Sequence, residues 1–293
     1  MWAVKLTWTE DSLEVTGREG EVIGRIPLNE LDALVLAQPA VSLSGGLLAE
    51  LGRRRIAVVC CDRTYVPMTC MLPAFVECSH RLQVLRAQIE QSVPARKRSW
   101  QWIIKAKIAG QARVLRRYRQ SEALFPLVRG VRSGDAGNQE SRAAVIYWKK
   151  LSLFPARRRD APDANRLLNY VYAFLYAAAS RYIFASGLEP RLGLRHSNPT
   201  NPFCLASDLM EPYRPFADEC VLEVLEETQG DCELTLAVKR ALTKKLYEDR
   251  VSMGEEVHTV FEGIRRTVLS YRAGLLGKTA PQEIEVPWGN DKD

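Results

Sequence analysis

The sequence predicts an α+β fold, with a small β-rich N-terminal domain over residues 1–78 and a larger all-helical domain over 79–293. Short, partly alternating apolar runs separated by charged or glycine turns fill the early part of the chain. From about Pro73 the apolar residues fall instead at helical spacing. A chain of 293 residues buries enough surface for two such units, and 46% hydrophobic with 26% charged residues is ordinary for a globular protein.

In order, strands are expected over 3–8, 12–16 and 22–27, then short apolar pieces over 33–36 and 41–43. Ser44-Gly45-Gly46 leads into the helix LLAELGRRR, with Gly52 near its end, and 56–61 reads as a buried strand. This strand–helix–strand passage lacks both G-x-G-x-x-G and G-K-[ST], so it is not a nucleotide-binding unit. Helix is expected over 79–91, where Leu82, Leu85 and Ile89 form one buried stripe, and again over 100–118 after an interruption at Pro94. Residues 129–139 read as loop, 140–153 as helix, and PARRRDAPDAN as a basic loop. Residues 167–186 are apolar nearly all round and stop at Gly187, as expected for a central core helix. Helices follow over 220–227, 234–248 and 255–274, and the tail after Gly277 is expected to be loosely held.

Composition narrows the function classes. Met1 is followed by WAVKLTWTED, which does not read as a signal peptide. The longest apolar stretch, between Arg166 and Arg181, is too short to span a membrane. The seven cysteines include the adjacent Cys60 and Cys61, which fits no disulfide framework and points to a reducing cytoplasm. Cys60, Cys61, Cys70, Cys78 and His80 raise a zinc site as an alternative, but IAVVCCD is an apolar run in which cysteine is usually a small core residue.

Charge is placed unevenly. Residues 1–80 hold seven basic and ten acidic residues (−3), 81–132 thirteen and two (+11), and 133–293 twenty-one and twenty-three (−2). The basic segment also carries Trp100, Trp102 and Tyr118, so a polyanion such as nucleic acid is favoured over a merely solvated helix.

Chemistry concentrates in HSNPTNPFCLASDLMEPYRPFAD, residues 196–218. Glu211 follows His196 by fifteen residues, and Asp208 lies three before Glu211, so a helix here projects both carboxylates from one face. An imidazole with two carboxylates can ligate a divalent ion. Taken singly, Glu140 also reads as a helix-start acid, His196 as a surface or capping residue, and Asp208 and Glu211 as a helix-start and a solvated acid.

The words LASDLMEPYRP, the upstream GLRH and the helix ESRAAVIYW resemble the CRISPR adaptation integrase (Cas-one) family. The resemblance covers nearly the whole chain, and KRSWQWIIKAKIAGQARVL with NRLLNYVYAFLYAAASRYIFASGLEPRLGLRH is closest in wording to type II members. It implies catalytic, metal-binding roles for Glu140, His196 and Glu211, a supporting role for Asp208, and Mg2+ or Mn2+ as cofactor. It further implies a homodimer working with the small Cas-two partner, and in type II systems with further adaptation proteins. The activity implied is attack of prespacer 3′-hydroxyl ends on phosphodiesters of the repeat array in double-stranded DNA. The basic segment then supplies Arg96, Lys97, Arg98, Lys105, Lys107, Arg113 and Arg116 to the DNA backbone. The alternatives are a non-catalytic DNA-binding scaffold and an integrase serving a mobile element. One departure stands out: Ser141 follows Glu140 where the family commonly has glycine.

Overall fold

A computed structural model describes residues 4–277 and 284–287, apart from residues 32, 38–39, 64, 66, 72–79 and 152–163. The expected boundary at 78/79, Cys78 and most of the basic loop PARRRDAPDAN lie outside the described residues.

Strands β1 (Val4–Thr9), β2 (Ser12–Thr16), β3 (Val22–Pro27) and β5 (Val41–Leu43) form one sheet in the order β3-β2-β1-β5. Its β1–β2 and β2–β3 pairs are antiparallel, while β1 and β5 run parallel. Strands β4 (Ala33–Leu36), β6 (Ala57–Cys61) and β7 (Pro67–Met71) form a second sheet, with β4 and β6 parallel. Helix α1 (Gly45–Arg53) is capped by the Ser44 hydroxyl, which accepts from the Leu47 N–H, and it buries Leu47 and Leu51. With Leu6, Leu13, Leu28 and Ile56 these form an apolar cluster. Gly52 lies near the end of α1, as expected. The left-handed residue is Arg55, at φ 60°, which turns the chain into β6.

The helical part is built on α2 (Arg81–Ile89), α3 (Val93–Arg119), α4 (Phe125–Gly130), α5 (Gln139–Leu151), α6 (Ala164–Ala185), α7 (Cys204–Leu209), α8 (Arg214–Glu227), α9 (Leu236–Glu248) and α10 (Val260–Leu275). Pro94 does not interrupt a helix. It opens α3, just after the Ser92 cap, because proline in the first turn forfeits no intrahelical hydrogen bond. Helix α6 is central, as its all-round apolar sequence predicts, and it ends at Gly187 (φ 74°) with the Leu188 N–H reaching back to the Ile183 carbonyl. It packs on α8 and α10 and touches β4 and β6, which ties the second sheet to the helices.

Four further expectations are corrected. Leu82 and Ile89 of α2 are exposed, and that helix buries Val84 and Gln88 instead. Residues 250–259 form a hairpin, β8 (Arg250–Met253) and β9 (Glu256–Thr259), so α10 starts only at Val260, capped by Thr259. Helix α8 begins six residues before the expected Cys220 and buries most of its length. The tail is pinned at residues 284–287: Ile284 and Val286 are buried, the Glu285 N–H donates to Ser270 Oγ, and its carbonyl accepts from Thr267.

Candidate active site

Glu140 stands in the first turn of α5 and is held there by Asp135. That carboxylate accepts the backbone N–H groups of Gln139 (2.8 Å) and Glu140 (3.0 Å), which neutralises two donors at the helix start. Ser141 lies exposed in this turn with no left-handed backbone, so the departure from glycine costs nothing locally.

Asp208 and Glu211 do not share one helical face. Helix α7 ends at Leu209, and Glu211 opens a short 3-10 turn over Glu211–Tyr213, so the two carboxylates aim at different partners. Asp208, fully buried, gathers the loop before it: Oδ2 accepts from the N–H groups of Leu194 (2.6 Å) and Arg195 (3.0 Å). Oδ1 accepts from the His196 N–H (3.3 Å) and lies 2.5 Å from His196 Nδ1. The loop closes this tightly only because residue 193 is glycine. A Cβ there would stand 2.3 Å from the His196 carbonyl oxygen and 2.8 Å from Asp208 Oδ2. Asp208 thus fixes the imidazole through Nδ1 and leaves Nε2 for a ligand, with the Trp100 ring edge-on at 6.1 Å. The Asp208 hydrogen bond and charge raise the His196 pKa.

Glu211 is buried, with its two oxygens in different company. Oε1 faces the Arg214 guanidinium at 3.2 Å. Oε2 lies 2.7 Å from Lys107 Nζ yet forms no hydrogen bond of proper geometry. Burial pushes the Glu211 pKa up, but the Arg214 and Lys107 charges outweigh it and hold the carboxyl below its ordinary range. Behind Glu211, Arg214 stacks over Tyr172, and Tyr172 and Tyr147 both donate to the buried Asp218.

Lys107 also reaches Glu140, with Nζ 2.7 Å from Oε1. One ammonium therefore bridges the carboxylates of α5 and of the 3-10 turn. Burial opposes its charge, but Glu211 and Glu140 prevail and raise its pKa. Gly110 makes the approach possible, because a Cβ there would lie 2.9 Å from Pro215 Cγ, at the start of α8. The charge pattern of the sequence assigns Lys107 to the DNA backbone. The structure places it inside the site, and only the helical offset to Gly110 and the PYRP turn hint at that position.

The other basic residues of α3 are divided. Arg96 and Lys97 are exposed, and Arg98 is half-buried with its Nε unpartnered. Lys105 lies over the Trp102 ring at 5.9 Å, and exposed Arg116 over the Phe125 ring at 5.6 Å. Arg113 is turned inward, over Phe216 and 3.3 Å from Glu219.

The residues suit a divalent cation. Two carboxylates converge on a positive charge, one of their oxygens is buried without a hydrogen bond, and a positioned imidazole nitrogen lies in the same field. With Lys107 between the carboxylates, no three Asp, Glu, His or Cys side chains among the described residues stand close enough to chelate an ion. Among the described residues Cys60, Cys61 and Cys70 lie half-buried on β6 and β7, and burial pushes the Cys61 and Cys70 thiols up to about 12. No helix among the described residues is long and apolar enough to cross a membrane.

A mixed-sheet N-terminal part and a helical body carry a site in which Glu140 and Glu211 share the Lys107 ammonium and the His196 imidazole feels both carboxylates. Residues 3–242 match the family described as CRISPR associated protein Cas1, and the chain belongs to that family. It is 34% identical over 260 residues to the CRISPR-associated endonuclease Cas1 of Neisseria meningitidis serogroup C, covering 88% of this chain and 85% of that one. Its fold is similar to a casposase bound to integration product, with TM-score 0.79 at 19% identity, covering 97% of this chain and 92% of that one. It is similar also to a Cas6-RT-Cas1–Cas2 complex, with TM-score 0.78 at 19% identity over 99% of this chain and 35% of that one.

Proposed function

We propose that the chain is a metal-dependent DNA endonuclease and integrase of CRISPR adaptation, with Glu140, His196 and Glu211 as its ion-binding catalytic residues. The observation that carries this reading is the convergence of Glu140 and Glu211 on one cation beside an imidazole held by Asp208. Mg2+ or Mn2+ bound there supplies Lewis-acid stabilisation of a five-coordinate phosphorus. The protein's share is to hold the donors. Asp135 fixes the Glu140 backbone, Asp208 fixes the His196 ring with Nε2 free, and Arg214 keeps Glu211 ionised in a buried position.

The reaction is transesterification. A 3′-hydroxyl oxygen of the incoming duplex forms a bond to phosphorus as a backbone P–O bond of the repeat breaks, with one proton released and one taken up. Ester bonds are conserved, so no nucleotide cofactor is needed. Arg96, Lys97, Arg98, Lys105 and Arg116 line the route by which the duplex backbone reaches the site, a reading supported by their solvent-facing or half-buried placement on α3. A homodimer, the small Cas2 partner and further type II adaptation proteins complete the assembly. The Cas2 assignment is supported by the likeness to a complex that contains it.

The test is strand transfer of a labelled short duplex into a plasmid bearing a repeat array, with Mn2+, the small partner and Glu211→Ala alongside. Joining that EDTA and the substitution both abolish is the expected result. Metal-dependent joining that survives in the variant would overturn the site. Tight DNA binding without joining under any metal would make the chain a scaffold.

A further inference from the structure

Of the lysines on α3, Lys107 alone bridges two carboxylates among the described residues, and its side chain is 11% exposed against 29% for Glu140 and 4% for Glu211. Its Nζ lies 2.7 Å from both Glu140 Oε1 and Glu211 Oε2. An ion bound to the same two oxygens would sit about 2 Å from each. The ammonium and the ion therefore compete for one place, and repulsion between a double and a single positive charge at such range forbids sharing it.

We propose that Lys107 is a resident counter-cation of the metal-free site, exchanged for the divalent ion on loading. This rests on the functional reading above. In the metal-free chain it keeps the buried Glu211 carboxylate and the half-buried Glu140 carboxylate from facing each other unpaired, which is otherwise costly. The same contact lowers the site's apparent affinity for metal, because each ion bound must first displace the ammonium. Lys107 is thus a positioning residue that tunes loading. Flexible and four carbons long, it can leave without disturbing the backbone of α3.

The test is direct Mn2+ titration by calorimetry on wild type, Lys107→Met and Glu211→Ala, each first checked for helical content by circular dichroism. Lys107→Met is expected to bind Mn2+ about tenfold more tightly than wild type, while its metal-free melting temperature falls. Equal or weaker binding in the folded variant would overturn the exchange. A second measurement uses unmodified protein: acylation of lysine amines, read by mass spectrometry with and without Mn2+. Lys107 should become several-fold more reactive relative to exposed Lys97 when Mn2+ is added, and unchanged reactivity would overturn the proposal even if Lys107→Met fails to fold. Glu211→Ala separates the two readings. If Mn2+ binds it as tightly as wild type, the metal site itself is misplaced; if binding is abolished there and unaltered in Lys107→Met, only the exchange fails.

Discussion

The two ends of one charged stretch of α3 use the same residue type in opposite ways. At the helix start, Arg96 and Lys97 are exposed and form no ion pair among the described residues. Ten residues on, about 15 Å along the axis, Lys107 is half-buried and held by two carboxylates, and beyond it Arg113 pairs with Glu219. What separates the regions is the neighbour each meets: solvent at the start, the acidic faces of α5, the 3-10 turn and α8 further on. A charge run therefore counts as a binding surface only where no carboxylate from elsewhere in the chain has claimed it.

Breaking the buried end should have the largest effect. Glu140→Ala and Glu211→Ala each remove a donor and leave Lys107 half-paired, and strand-transfer rates should drop by more than about a hundredfold; a drop below tenfold in both would move the chemistry elsewhere. Next comes Asp208→Asn. It removes the charge that orients His196, and Mn2+ affinity by calorimetry should fall about 10–100-fold. Arg113→Ala sharpens the contrast, since Glu219 is then deprived of one of its two cationic partners: denaturant unfolding should show destabilisation by about 1–2 kcal/mol, with DNA affinity unaltered. Arg96→Glu with Lys97→Glu should do the reverse. Melting should hold, DNA affinity should fall about tenfold at low salt, and the salt dependence should become shallower by about one for each phosphate no longer neutralised. An unchanged salt slope would show that the exposed end is not the DNA platform.

The smallest effect concerns Asp249, which ends α9 in the acidic surroundings of Glu219 and Glu223. Burial raises its pKa to about 6, from 3.8. An acid whose folded pKa is raised binds more protons folded than unfolded, so stability falls as pH rises between about 4 and 6. Asp249→Asn should abolish that fall. Its melting temperature should match wild type near pH 4 and exceed it above pH 6, and parallel curves would contradict the sign.

Much of the architecture is legible in the amino-acid sequence. The change from period-two to helical patterning marks the α+β class, and the apolar run closed by Gly187 marks the central helix. ESRAAVIYW places Glu140 at a helix start. What escapes such reading is fixed by contacts between distant residues or by short elements. The β8–β9 hairpin has four-residue strands around Gly254 (φ 63°), too short to outweigh the helical pattern beside it. Ser92-Val93-Pro94 carries a helix-start signature that a proline taken alone obscures. Helix α7 stops after Leu209 and Glu211-Pro212 turns the chain, so the i, i+3 spacing of Asp208 and Glu211 misleads about a shared face. Lys107 escapes because its carboxylates come from other elements, and Gly110 three residues on is only a faint local sign of a close approach.

The most direct measurement is anomalous scattering from a crystal of the protein grown with Mn2+. A single manganese peak contacting Glu140, His196 and Glu211, with the Lys107 ammonium displaced from between the carboxylates, is the predicted result. Manganese bound elsewhere, with Lys107 still bridging Glu140 and Glu211 at saturating metal, would contradict it.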